Sequence, residues 1–296
     1  MIPRLGEVAA LGTALSWSFG SIFFTIASQE IGAFTVNRLR LTLALFLIMI
    51  THLLFFGRLF PPGTSLNWFW LGLSGFIGFT IGDTFLFQSF VLLRPRSTML
   101  LMSLVPVFGA IIAWLFLKET ISGLKILAGL ITISGIIWAI WDKRKEDEKG
   151  SDYQLGIIFG LGAAFCQAFG LFASKKGLGN NFPALSGNLI RVLTGTITIW
   201  LLPFFWRNLR KTLMRLKEKR VGLAILGGAF FGPFLGVGLS LVAIQNTAIG
   251  IAATLMALPP VILIPLSHWI FKERITVSAI LGTLVAMTGV SLIFLL

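Results

Sequence analysis

Acidic residues are scarce in this chain: 11 Asp and Glu stand against 24 Lys and Arg in 296 residues. Charged residues of both signs make up only 12%, hydrophobic ones 56%, and the mean hydropathy is +0.92, which excludes a soluble domain. The lone cysteine, Cys166, rules out a disulfide framework. Two histidines, His52 and His268, with no Cys/His/carboxylate cluster, give no support to a metal site. There are no paired carboxylates and no nucleophile–base constellation, so an intramembrane enzyme is disfavoured and no cofactor is expected. The G-x-x-x-x-G-K-[ST] loop is absent too. Active transport by this chain would have to draw on an ion gradient or a partner.

What is abundant is apolar sequence. Runs long enough to cross a bilayer, roughly 20 residues each, follow one another almost without pause. Val8 to Gln29, Ser97 to Leu117, Tyr153 to Ser174 and Ile275 to Leu296 carry no charge, and Val221 to Phe271 is charge-free for 51 residues. The runs are continuous rather than alternating, so they read as helices and not barrel strands. We expect an all-α integral membrane protein with ten transmembrane helices, at about 6–28, 34–56, 67–91, 97–117, 121–141, 153–174, 183–206, 221–243, 248–271 and 275–295. The first run does not read as a signal peptide, being too long and lacking an A-x-A-like site.

The net charge of +13 sits in the connections between spans, which argues for a membrane and against nucleic acid. Connections after odd-numbered spans hold fifteen basic residues and the opposite side six. That bias places the 142–152 and 207–220 connections in the cytoplasm and both termini outside. Leu209, Leu213 and Leu216 in the longer connection suit either an amphipathic helix on an anionic leaflet or a solvated connector.

The lower part of the chain repeats after 154 residues. Laying 71–142 over 225–296 without a gap gives fifteen identical pairs. Gly78 and Gly82 fall on Gly232 and Gly236, Met102 on Met256, Pro106-Val107 on Pro260-Val261, Lys118-Glu119 on Lys272-Glu273, and Gly135 on Gly289. Earlier, Asn37-x-x-Arg40 answers Asn188-x-x-Arg191. Five spans lie on each side of the charged linker 143–152. Five is odd, so the copy in 153–296 enters the membrane in the opposite sense to that in 1–142, giving two inverted five-helix repeats. Such pairs are usually transporters with substrate between the copies. Pro106 and Pro260 fall inside the fourth span of each copy, where we expect a bend.

The ordered double occurrence of Pro-Val, Lys-Glu and a late Gly resembles the drug/metabolite transporter superfamily, EamA type. The match runs from Met102-Ser-Leu-Val-Pro-Val107 through Leu117-Lys-Glu119 to Gly135, and again from Met256-Ala-Leu-Pro-Pro-Val261 through Phe271-Lys-Glu273 to Gly289. The resemblance implies a secondary carrier for a small metabolite, often an exporter, in a cell membrane. Relatives commonly hold both termini in the cytoplasm, opposite to the charge bias here. A prokaryotic plasma membrane fits, and the chain is read as monomer or homodimer.

Repeat symmetry separates scaffold from site. Asp83 lies deep in the third span, aligns with Val237 and is the only acid deep inside any span. A carboxylate there costs about 2.5–3.5 kcal/mol on insertion scales and marks either a proton carrier or a structural pair with Arg40 or Arg191. Thr80, Asp83, Thr84 and Phe87 share a helical face that Gln88 extends, a polar strip suited to a cavity. Arg40 and Arg191 recur in both copies and suit a scaffold or rim, with anionic-substrate binding as the lesser reading. Arg40 is placed within reach of snorkelling to the interface. Trp17 corresponds to Gln167, giving a stacking wall and a hydrogen-bonding wall. Lys118-Glu119 and Lys272-Glu273 read as helix-end anchors.

Three functions follow. The first is a proton-coupled carrier of amino acids, nucleosides or amines; the second a lipid-linked transporter or flippase; the third a non-transporting scaffold with Asp83 fully paired.

Overall fold

Continuous apolar sequence leaves the backbone only one way to satisfy its own hydrogen bonds in lipid, and every described element is helical. The computed structural model describes residues 4–118, 120, 122–144, 150–179, 182–202, 218–247 and 249–295. The amphipathic segment expected at 207–220 lies almost wholly outside the described residues.

The first half runs through α1 (Leu5–Ile31), α2 (Ala33–Phe56), α3 (Ser65–Ser74), α4 (Asp83–Met102), α5 (Val105–Leu117) and α6 (Gly123–Arg144). The second runs through α7 (Gly150–Leu178), α8 (Ala184–Leu201), α9 (Lys219–Ala229), α10 (Val237–Asn246), α11 (Ile249–Met256), α12 (Pro259–Phe271) and α13 (Val277–Leu295). Among the described residues, nine helices are long and apolar enough to cross a membrane. One of them is the 38-residue stretch Ser65–Met102, in which Arg94 has non-helical angles (φ 68, ψ 169). Gly32 turns the chain between α1 and α2 at φ 84, a conformation side chains resist. A capping box at Thr64 and Asn67 starts α3.

Two backbone features repeat along with the sequence. The α3–α4 and α9–α10 pairs are joined by π-helical turns, Gly75–Gly82 and Phe230–Gly236, at matching positions of the 154-residue repeat. Both α5 and α12 end on a lysine in the left-handed region, Lys118 at φ 54 and Lys272 at φ 53. The prolines differ from expectation. Pro106 and Pro260 are the second residues of α5 and α12, after breaks at Ser103–Leu104 and Ala257–Leu258. At a helix start the missing N–H has no intrahelical partner to lose, so each proline opens a helix rather than bending one.

Packing follows the repeat. α6 pairs with α13, and α2 with α8. α7 lies against α3, the first π turn and α4, while α1 lies against α9, the second π turn and α10. Each first helix is thus clasped by the third span of the other half. Glycine permits this: Gly78 and Gly170 bring their backbones together, and Gly135, Gly282 and Gly289 do so between α6 and α13. Thr13, Ser18, Ser21 and Thr25 of α1 are buried and donate their hydroxyls back into their own helix. Outward, Leu54, Phe55, Leu201 and Trp269 are exposed, as a lipid-facing surface requires.

Candidate functional site

The first π turn delivers Asp83 to the protein interior, where it is 7% exposed. The Nη2 of Arg40, from α2, donates to Asp83 Oδ2 and also to Asn37 Oδ1 at 3.1 Å. Asn37, wholly buried, uses its amide to donate to Phe79 O at 2.7 Å and Thr84 Oγ1 at 3.0 Å. Thr84 in turn donates to Thr80 O. Arg40 therefore does not snorkel to the interface; its charge is met inside. Its guanidinium also faces the rings of Phe87 at 5.3 Å, Phe24 at 5.6 Å and Phe79 at 5.9 Å. A buried pair of this kind holds because each ion compensates the other and aromatic faces and amide oxygens fill the remaining shell.

The expected polar strip divides between partners. Thr80 meets Thr198 Oγ1 at 2.6 Å and donates to Gly195 O at 3.2 Å, tying the π turn to α8. Asp83 and Thr84 face α2 instead. Phe87 is buried in a cluster with Phe24 and Phe90. Gln88 is half-buried and makes no hydrogen bond to another described residue. Trp17 packs edge-on against Gly236, where a side chain would overlap its indole. Gln167 lies against Gly78, one turn before Gly82, the counterpart of Gly236, and its Oε1 is buried without a hydrogen-bond partner.

The second copy does not reproduce the charge network. The counterparts of Phe79, Asp83 and Thr84 are Pro233, Val237 and Gly238, which lack the ring, the carboxylate and the hydroxyl. Arg191 consequently turns to the first half. Its guanidinium lies 4.5 Å from the centre of the Phe79 ring and within electrostatic range of Asp83. Both repeated arginines thus converge on one aromatic ring and one acid.

Several residues went unmarked by sequence reasoning. Phe79 is one. Arg38, 2% exposed and 4.6 Å from the centre of the Trp200 ring, is another. It stands two positions from Arg40 on the opposite side of α2, and a census of charges inside spans would have found it. Glu273 departs from its reading as an interfacial anchor. It is 5% exposed and pairs with Arg96 at 3.5 Å, while Arg94 Nη1 donates to Phe271 O at 2.9 Å. Glu119, its counterpart, lies outside the described residues.

The halves do not close symmetrically. α4 packs against α1, α2 and α12. The corresponding stretch of the second half, α10 and α11, makes no comparable packing on α7, α8 and α5 among the described residues. Among the described residues, the contacts of α4 with α1, α2 and α12 close the interface between halves at one end and have no comparable mirror.

A family model described as the EamA-like transporter family matches residues 4–141 and again 154–295. A solved crystal structure, described only as that of a protein, aligns over 97% of this chain and 94% of its own with a TM-score of 0.59 at 15% identity. That likeness speaks to the fold alone. No curated protein matches.

Proposed function

The chain belongs to the EamA-like transporter family, and from that membership we propose a secondary carrier that exports a small metabolite by alternating access. The two halves are inverted five-span repeats, ten spans in all, with Arg94 dividing the third from the fourth. The exchange of α1 and α7 between halves supports a two-fold relation of this kind. The solute is an amino acid, nucleoside or amine, and Asp83 couples its movement to protons.

The observation that carries this reading is the one-sided seal around a buried charge cluster. A rigid scaffold has no reason to pack α4 onto α1, α2 and α12 without comparable mirror contacts among the described residues. A carrier caught facing one side must do so. Pairing of Asp83 with Arg40 is what a scaffold also requires, so the pairing alone decides nothing. Basic residues Arg94, Arg96, Lys272 and Arg274 crowd the sealed end, which the positive-inside rule assigns to the cytoplasm of a prokaryotic cell. Both termini then lie outside and the open end faces out.

One feature favours a lipid-linked solute instead. A cavity of about 340 Å³ between α4, α6 and α7 is lined by apolar side chains such as Leu101, Ile136 and Ile157, and its rim includes the exposed Ile137 and Leu161. It has the chemistry of an acyl-chain groove.

Uptake into proteoliposomes tests the proposal. Pooled amino acids, nucleosides and amines are offered with and without a pH gradient, beside empty vesicles and Asp83→Asn. Gradient-driven accumulation that the variant loses supports a proton-coupled carrier. Accumulation that survives in the variant keeps the carrier and removes Asp83 from coupling. No accumulation by folded protein in either orientation defeats the proposal.

A further inference from the structure

An arginine in the interior of a membrane protein needs a counter-charge or a full set of acceptors. Arg40 pairs with Asp83 and Arg96 with Glu273, although the Nε of each, like that of Arg38, is buried without a hydrogen bond. Arg191 makes no hydrogen bond and no ion pair to any described residue, and its Nε is buried without a partner. The face of Phe79 satisfies the cation only in part, since a ring accepts none of the five N–H donors in the guanidinium plane.

A second orphan lies beside it. Gln167 Oε1 is buried and unpartnered, and it belongs to α7, a different helix from Arg191. Arg191 Nη2 and Gln167 Oε1 lie 3.8 and 3.6 Å from the point where a Gly78 side chain would begin. Glycine at position 78 leaves that point free of a side chain, with Gly170 Cα of α7 also 3.8 Å from it. A Gln amide presents N–H₂ donors in place of its oxygen by a half-turn about its last bond, an orientation chosen by whatever partner is present. Guanidinium and carboxamide then flank one spot near an aromatic ring, with Asp83 already held by Arg40. The local charge sum of Arg40, Asp83 and Arg191 is +1, and one negative group balances it.

We propose that Arg191, Gln167 and the Phe79 ring form a subsite for the carboxylate of the transported solute. The proposal rests on the carrier reading and narrows its solute class to acids, including amino acids. It disfavours simple amines. Arginine suits the role because its fork matches a carboxylate with two parallel N–H donors. The arrangement is absent from the mirror position: Arg40 has an internal acid, Trp17 aligns with Gln167, and Gly232, the counterpart of Gly78, meets Phe24. A substrate subsite is free to be asymmetric in this way, whereas a scaffold element shared by both repeats is not.

Thermal unfolding of the purified chain in lipid nanodiscs tests the subsite without requiring transport. The probes are pairs that differ only at the carboxylate: L-phenylalanine and L-phenylalaninamide, L-leucine and L-leucinamide, phenylacetate and phenylacetamide. At least one acid is expected to raise the melting temperature where its amide does not. Arg191→Gln should weaken that acid by about tenfold or more, the ratio expected for loss of one charge-assisted hydrogen bond, and leave the amide unchanged. Arg191→Lys should retain part of the preference, and Gln167→Leu should lose part of it. Without probe, Arg191→Gln should melt no lower than the parent, because an unpaired buried cation is removed. Stabilisation by no acid, or equal stabilisation of Arg191→Gln, overturns the subsite. Counterflow of the same probes separates the two ideas. Acid-specific binding without translocation keeps the subsite and defeats the carrier. Translocation of amides as fast as acids, in parent and variant alike, keeps the carrier and defeats the subsite.

Discussion

Glu273 of the second half is held against Arg96 of the first, Oε2 to Nε at 3.5 Å, with both side chains only 3% exposed. Together with the bond from Arg94 to Phe271 O, this pair fastens the sealed end of the interface between halves. Arg94 and Arg96 align with Ala248 and Gly250, so the opposite end has no counterpart to these arginines. Removing one member leaves the other buried without compensation, a loss of about 3–5 kcal/mol. Arg96→Leu or Glu273→Leu should therefore lower the melting temperature clearly, and the double variant should lower it by less than the sum. Additive losses in the double-variant cycle would mean that the two residues do not interact.

The Arg40–Asp83 pair makes a parallel prediction with a functional readout. Asp83→Asn strands Arg40, and Arg40→Gln strands Asp83, each costing about 3–5 kcal/mol. Replacing both by apolar residues, Arg40→Met with Asp83→Leu, should restore much of the stability while leaving transport abolished. Transport by the folded double variant would show that the pair serves architecture alone.

Small residues at the α6–α13 contact leave no room for growth. A methyl at Gly289 would overlap Thr132, and one at Gly282 would come within 2.6 Å of Ala139 N. Gly289→Ala should cost about 1–3 kcal/mol by overpacking. Gly109, in α5, has nothing within 4 Å of a new methyl, and Gly109→Ala should be neutral or stabilise by about 0.5–1 kcal/mol. Melting temperatures of the two variants should move in opposite directions or differ clearly in size.

Lys118 and Lys272 close α5 and α12 with backbone angles that favour glycine. Lys118→Gly and Lys272→Gly should each stabilise by about 1 kcal/mol, read by thermal unfolding.

The helices were legible in the sequence because lipid demands long uninterrupted apolar runs, and a run such as Val221–Phe271 admits little else. The repeat was legible because Pro106, Lys118 and Gly135 each recur after 154 residues. The π turns were not. They depend on which carbonyl each N–H selects, and that choice is made by contact between helices, as where Gly75 admits the Arg191 backbone. Asp83 stood out as the lone deep acid, and Arg40 and Arg191 were its two possible partners. Which of them holds it is a matter of helix placement that no spacing encodes. Phe79 was invisible for a different reason: one phenylalanine among 28 carries no mark, and its role comes from two arginines arriving over its ring. Glu273 looked like an end anchor because its repeat partner Glu119 shares a Lys-Glu pair. Its true partner, Arg96, is far away in sequence and aligns with a glycine.

Cysteine accessibility at two mirrored positions tests whether the sealed and open ends exchange. On the proposed inverted topology Gln88, toward the Arg94 end of its span, belongs to the sealed side and Val242, its repeat counterpart, to the open side. Each is replaced singly by cysteine in a Cys166→Ala background and exposed to a membrane-impermeant maleimide, with the Arg96/Glu273 fastening intact or removed by the double leucine substitution. With the fastening intact, Val242→Cys should label and Gln88→Cys should not. With it removed, Gln88→Cys labelling should rise as Val242→Cys labelling falls. A rise at both positions, or no change at either, would contradict alternating access around this site.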